Sequence, residues 1–506
     1  GGLRVEKSYR QEEGSSVLLA NCTAAEGGGV WTQNFTQRPQ SSASFRGCSA
    51  RGKRQSAKEH RGGGLFVANI YHQEAGSSAV FQHCTAQRGG GLLVAKSYQQ
   101  EAGSSALFET CSAKVGGGAS VKDFTQEGPQ SCVNFTSCRA TDGGGLVAES
   151  YHQAIGTSAD FENCTAERGE GGGLYTTMLD GRGSMHFRAC GARAGGGLST
   201  SELDGNGSMR FETCRAEAGG GINVRPGGRV QHGGSLEFQA CNASFTGGGL
   251  YSSAGPGQFG KLRFERCDAG IVAAAFAAID VDDRNVEVQI QELWLLNGGR
   301  SNLKDLAVTG VLKIGSAHLT MKSKFGAYIQ SQDLILEDVV DCTRTTTCKF
   351  SANVAQRAGF RCPLGAGLVD FQNSDDFGCF ACAPGKTQIL NMTTKPCSPC
   401  PDGAQQCWPS QLEMEAGMMV ELDNVSRSFH CPNEAACPGG NVSQGRVQRA
   451  MCATGYQGQG CATCSDRYAV ADRSVLSCKA CSEVRRNQVI QWILFLAQRT
   501  VLFGIG

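Results

Sequence analysis

The chain has almost no net charge: Lys+Arg 47 against Asp+Glu 46 leave +1 over 506 residues. No basic stripe stands out either, so a nucleic-acid partner lacks the electrostatic footprint that such binding needs. Prolines number only 12 beside 70 glycines, and the glycines follow no Gly-X-Y period, which excludes collagen and a proline-rich disordered linker. No secretory leader is visible. The chain opens in mid-repeat at Gly1-Gly2-Leu3, so an internal fragment of a longer precursor is expected and the missing leader carries no weight. No dense Asp/Glu/Arg/His cluster recurs on one face, which argues against an enzyme, and nothing in the sequence requires a metal or a cofactor.

What is abundant points to an oxidising compartment. Twenty-six cysteines would be a hazard in a reducing cytosol unless metal held them, whereas outside it they act as staples. Asn21, Asn34, Asn134, Asn163, Asn206, Asn242, Asn391, Asn424 and Asn441 each open an Asn-x-Ser/Thr triplet, the acceptor signature of a secreted glycoprotein. At this length the chain holds several modules or one long repetitive one.

Self-similarity favours the second. Phe-x-x-Cys-x-Ala, a short spacer and Gly-Gly-Gly-Leu recur about ten times, with the cysteines at Cys22, Cys48, Cys84, Cys111, Cys138, Cys164, Cys190, Cys214, Cys241 and Cys267. The period is near 26 residues, broken by one basic insertion of about ten residues around 52–60 that reads as a surface loop. Three residues before each cysteine stands Leu19 or a phenylalanine, from Phe45 to Phe264, and two residues after it an alanine. Between these landmarks lie runs of three to five residues broken by Gly-Ser-Ser or Gly-Gly-Gly, too short for helix pairs and suited to short strands and turns. Three short strands per period make one coil of a parallel β-helix, and ten coils at about 4.8 Å each predict a rod roughly 48 Å long. Stacking explains the constancy, because each core position lies above its equivalent in the next coil. The period is too short for a propeller, and no leucine framework supports a leucine-rich solenoid. Apolar strand patterns continue to about 340 as degenerate final coils and a cap.

The Gly-Gly-Gly-Leu and Phe-x-x-Cys tandem resembles the repeats of chlamydial polymorphic outer-membrane proteins and related large surface proteins of protists, over 1–270. The cysteine stands where that family usually has asparagine. The resemblance implies a β-helical surface passenger involved in adhesion.

A second stripe crosses the first six coils: Tyr9, Phe35, Tyr71, Tyr98, Phe124 and Tyr151, each followed two residues later by Gln11, Gln37, Gln73, Gln100, Gln126 and Gln153. On stacked coils it forms an aromatic ladder beside an amide ladder. Such a stripe is either a face that binds carbohydrate or a partner, or an internal support of the rod. Asp180 and Asp204, with Asn206, sit in Leu-Asp-Gly motifs; they are candidate calcium ligands or the acids of a polysaccharide-cleaving enzyme, and more simply tight turns. The repeat cysteines either pair from coil to coil or stay buried as small apolar groups.

From Cys342 the cysteines crowd to fifteen in 140 residues and apolar periodicity fades, so this part must be stapled. The groups Cys379/Cys382, Cys397/Cys400 and Cys452/Cys461/Cys464, completed by Cys478 and Cys481, look like epidermal-growth-factor, laminin and tumour-necrosis-receptor modules. Zinc is the rival reading of the Cys-x-x-Cys pairs, and the interleaved sequons favour disulfides. The closing run 489–506, preceded by Arg485 and Arg486, nears the length of a membrane span, although Gln491, Gln498 and Arg499 interrupt it.

The sequence thus predicts an all-β chain: a parallel β-helix over 1–340, a cysteine-rich stalk over 341–482 and the start of a membrane-associated or transmembrane helix over 483–506. The expected role is that of a surface-anchored structural or adhesive glycoprotein. Its rivals are a subunit of an extracellular filament or flagellar hair and a β-helix polysaccharide-active enzyme. Expected partners are other surface or filament proteins including further copies, carbohydrate, and a membrane at the C-terminus.

Overall fold

The computed structural model describes residues 2–51, 60–279, 286–296, 304–320, 327–336, 340–342, 348–356, 360–370, 376–390, 393–420, 425–442, 452–472 and 476–503. The basic insertion falls at 52–59, outside the described residues. Two compact units are present: one comprises Gly1–Val340 with Cys348–Gly359 and Phe371–Asp376, and the other the remainder.

The first unit is a parallel β-solenoid of about eleven turns. One coil runs along a first face as Leu92–Gln100, turns, crosses a second face as Ser105–Glu109 and touches a short third face at Ser112. Each strand pairs in parallel with the same strand of the next coil, Leu65 beside Leu92 beside Ala119, and Ser78 beside Ser105 beside Cys132. Alternation turns the apolar residues inward: in Ser105–Glu109 the side chains of Ala106 and Phe108 are buried while their neighbours are not.

Stacking turns the repeat into files. Phe81, Phe108, Phe135, Phe161 and Phe187 lie almost parallel at 4.7–4.9 Å between ring centroids, each essentially unexposed. Beyond Phe264 the file passes to Leu295 and Leu319, so the coils past 271 keep the architecture while losing the signature.

Each glycine of a triplet meets a different constraint. Gly89 holds φ +61, a region that side chains disfavour. A Cβ on Gly90 would meet the Gly117 carbonyl of the next coil at 2.1 Å, and one on Gly91 would lie 2.9 Å from the Phe108 ring. The triplet therefore sets a corner, a close coil-to-coil approach and the space for the ring file.

The chain first leaves this unit at Val340 and rejoins it at Cys348. Cys348–Gln356 pairs in parallel with Ala327–Leu336 and adds a further layer to the solenoid.

The second unit is built from short antiparallel ribbons, such as Ala404–Trp408 with Gln411–Met414, around a small core that includes Leu412, Met414, Met419 and Val442. Disulfides join Cys362–Cys379, Cys382–Cys397, Cys400–Cys407, Cys431–Cys437, Cys452–Cys461 and Cys464–Cys478. Cys342 and Cys348 are also disulfide-bonded. Helix α1, Cys481–Phe503, ends the described chain and belongs to this unit rather than forming a third.

Candidate functional site

The aromatic and amide stripe lies inside the solenoid. Phe35, Tyr71, Tyr98, Phe124 and Tyr151 are fully buried and Tyr9 is half-buried. Gln37, Gln73, Gln100, Gln126 and Gln153 have no exposed surface, and Gln11 is nearly as covered. These residues therefore do not form the exterior sugar-binding face that one reading of the stripe allowed. Each glutamine amide donates to the side-chain oxygen of the one before, as from Gln73 to Gln37 at 3.0 Å and from Gln100 to Gln73 at 2.9 Å. The tyrosine hydroxyls add a second donor: Tyr71 to Gln37 at 2.5 Å, Tyr98 to Gln73, and Tyr151 to Gln126 at 2.5 Å. The file ends where Gln153 meets Gly181, leaving the Gln153 side-chain oxygen buried without a partner.

Other expected positions separate by environment. Asn21, Asn163, Asn206, Asn242 and Asn441 are exposed, whereas Asn34 and Asn134 are half-buried; Asn391 and Asn424 lie outside the described residues. Asp180 pairs with His152 Nδ1 at 2.9 Å and Arg182 Nε at 3.1 Å, and Asp204 bonds the amide of its neighbour Gly205 at 2.6 Å. Both aspartates are strand residues paired in register with each other, one residue before their strands end, so the Asp-Gly dipeptides are not themselves the turns expected of them.

The cysteines divide in two. Those of the repeat are thiols, and from Cys84 on each donates to the carbonyl of the phenylalanine one coil back, as Cys111 to Phe81 at 3.4 Å and Cys164 to Phe135 at 3.4 Å, while Cys48 donates to Leu19. Burial pushes the thiols of Cys111, Cys164, Cys214 and Cys241 well above the ordinary range. Cys379, Cys382, Cys397, Cys400, Cys452, Cys461, Cys464 and Cys478 are in disulfides. The expected bonding of Cys481 is not: it is a free, exposed thiol at the start of α1, because its neighbour Cys478 is bonded to Cys464. Cys431, Cys437 and Cys461 approach one another closely enough to suggest a metal cluster, yet all three sulfurs are held in disulfides.

Among the described residues no helix is long and apolar enough to cross a membrane. In α1 the apolar stretch between Arg486 and Arg499 is centred on 489–497, about 14 Å of helix against the roughly 30 Å of a bilayer core. Trp492, Ile493 and Leu494 are exposed along it.

Two features of the exterior escaped the sequence. On the second face, stacking brings Asp160, His186, Glu212 and Arg188 together: His186 lies 3.8 Å from Asp160 and 3.3 Å from Glu212, and Arg188 reaches Glu162 and Glu212. Burial holds the Asp160 carboxyl above its usual range. These residues lie about one repeat apart, so only the register reveals the cluster.

The other is a groove at the corner where the glycine triplets meet the first face. Along this corner the second residues of the first-face strands lie in register, Leu93, Ser120, Val147, Tyr175, Ser199, Asn223 and Tyr251, of which Leu93, Ser120, Ser199 and Asn223 are buried. The corner opens into cavities of about 440 Å³ beside Leu93, Val147 and Tyr175 and about 550 Å³ beside Asn223, Phe245 and Tyr251. Arg225 lies between them, its guanidinium 4.6 Å over the Tyr175 ring and donating to Tyr175 Oη at 2.5 Å and the Thr176 carbonyl at 2.8 Å. Asn223 donates to Ser199 Oγ at 3.2 Å and Ser199 to Glu170 at 2.7 Å, fixing that carboxylate at the rim.

Fold and surface together define a parallel β-solenoid with two hollows along one corner, joined in one chain to a disulfide-rich unit. Compared with protein-family models, curated proteins and solved structures, the chain finds no match.

Proposed function

We propose that the chain is an extracellular structural or adhesive cell-surface glycoprotein, with the solenoid as its stiff element. The observation that carries this is the pairing of two kinds of construction: a solenoid with continuous interior ladders, and a unit held by six sequential disulfides that only an oxidising compartment sustains. Exposed acceptor asparagines on the coils support the same setting. So does the likeness of the repeat to surface-protein repeats. A non-catalytic role is supported by Asp180 and Asp204 lying side by side on paired strands, engaged by His152, Arg182 and the Gly205 amide, rather than facing one another across a cleft.

The apolar side chains that α1 exposes, Trp492, Ile493 and Leu494 among them, support its association with a membrane.

Non-reducing peptide mapping with glycan detection tests the reading. It expects the six disulfides above, unpaired repeat cysteines, and glycans at Asn21, Asn163, Asn206, Asn242 and Asn441. Free thiols throughout 362–478 together with bare asparagines would overturn it.

A further inference from the structure

We infer that the corner groove beside Asn223, Phe245 and Tyr251 is a binding site for a linear polysaccharide. This goes beyond the role of a surface rod, since it assigns a ligand class to residues outside the interior stripe.

A volume near 550 Å³ lies in the range of ligand clefts. Phe245 is 52% exposed and Tyr251 is half-buried, so rings are offered to an incoming molecule. Around them stand polar groups already held in place. The Asn223–Ser199–Glu170 chain fixes an amide and a carboxylate, and Arg225 is anchored on Tyr175 with its Nε buried and unpartnered. Ring faces with oriented amide, carboxylate and guanidinium groups are the chemistry that binds the apolar faces and hydroxyls of sugars.

Other occupants fit less well. An extended peptide binds a sheet through unpaired backbone groups, but here the coils use theirs on one another: Leu174 N donates to Gly197 O at 2.9 Å, Leu198 N to Gly221 O at 3.0 Å and Ile222 N to Gly249 O at 3.0 Å. Glu170 and Glu217 in the wall balance Arg193 and Arg225, so it offers a nucleic acid no net positive charge. Two separate hollows on one corner favour a ligand of repeating units over a single compact molecule.

The test is calorimetric titration of the full chain with three soluble probes: a mannan, a cello-oligosaccharide and an oligogalacturonate. Binding of at least one is expected. Phe245→Ala and Asn223→Ala should each weaken it about tenfold or more, Tyr251→Phe should keep it within about threefold, and Ile155→Ala, elsewhere on the surface, should leave it unchanged. Protection of the buried thiols in each variant verifies folding. Failure of all three probes to bind, or binding indifferent to both Phe245→Ala and Asn223→Ala, would overturn the proposal. Either result leaves the peptide map free to support or reject the surface-protein reading separately.

Discussion

The repeat coils and the chain from Cys342 on use cysteine in opposite ways. In residues 22–267 the thiols stay free and mostly buried; from Cys342 on, every described cysteine except Cys481 is in a disulfide. In-register residues of adjacent coils stay about 4.8 Å apart with parallel Cβ directions, whereas a disulfide draws Cβ atoms to roughly 3.8 Å. The coils are joined by continuous hydrogen-bond ladders and ring stacks, so they need no such closure. The second unit has a small core and short ribbons, and its covalent loops supply what burial does not.

The largest expected consequence is a selective response to reductant. Each native disulfide contributes about 2–4 kcal/mol, so losing several should unfold the second unit. Hydrogen exchange with and without reductant should show protection lost over 362–478 and kept over 65–264. Equal loss in both regions would mean that the solenoid also depends on disulfides.

Next in size is a break in the ring file. Phe135 is stacked between Phe108 at 4.7 Å and Phe161 at 4.9 Å, so Phe135→Ala removes two ring contacts and opens a cavity. A loss of about 3–5 kcal/mol is expected in urea unfolding. Leu19→Ala in the first coil, stacked on Phe45 from one side, should cost visibly less.

That file was legible in the sequence because stacking demands the same side chain at every period. The direction of the Tyr–Gln stripe was not. Strict alternation from Leu92 and Val94 turns Lys96 inward along with Tyr98 and Gln100, yet Lys96 is exposed, because the strand bends between Ala95 and Ser97. The same bend absorbs a missing residue in the next coil, where the register shifts between Val121 and Asp123. Parity along this strand therefore could not decide which groups faced solvent. Nor could it expose the left-handed corner before each cysteine, which His83, Thr110, Ser137 and Ala189 all occupy at φ near +50; the backbone is constant there and the side chain is not. The corner with its hollows is invisible for the same reason: the in-register residue there is a different type in almost every coil.

The degenerate coils offer a pH test of how far burial alone can strain the solenoid. Asp305 is 5% exposed, and burial raises its carboxyl from 3.8 to about 7 although the Tyr328 amide donates to it at 2.9 Å. An acid with a raised folded-state pKa binds more protons folded than unfolded between those two values. Stability contributed by its neutral form is therefore complete below about pH 4 and falls as pH rises to about 7, by up to about 4 kcal/mol. Urea midpoints across that window should decline for the native chain. Asp305→Asn, which keeps an acceptor for the Tyr328 amide, should flatten the decline; an unchanged slope would assign it to other groups.

The smallest effect bears most directly on the contrast between the units. Cys138 donates to the Phe108 carbonyl at 3.5 Å, a weak thiol hydrogen bond, and fills a small volume in the file. Cys138→Ala should therefore cost only about 1 kcal/mol. Cys382→Ala should cost about 2–4 kcal/mol by opening the loop to Cys397. Thiol labelling supplies a second measure: a small alkylating reagent should reach exposed Cys481 at once and half-buried Cys22 and Cys132 next, while Cys138 reacts only as the coils open. If Cys138→Ala costs as much as Cys382→Ala, the thiol file is a structural tie in its own right, and the two units differ in the kind of sulfur contact rather than in their need for one.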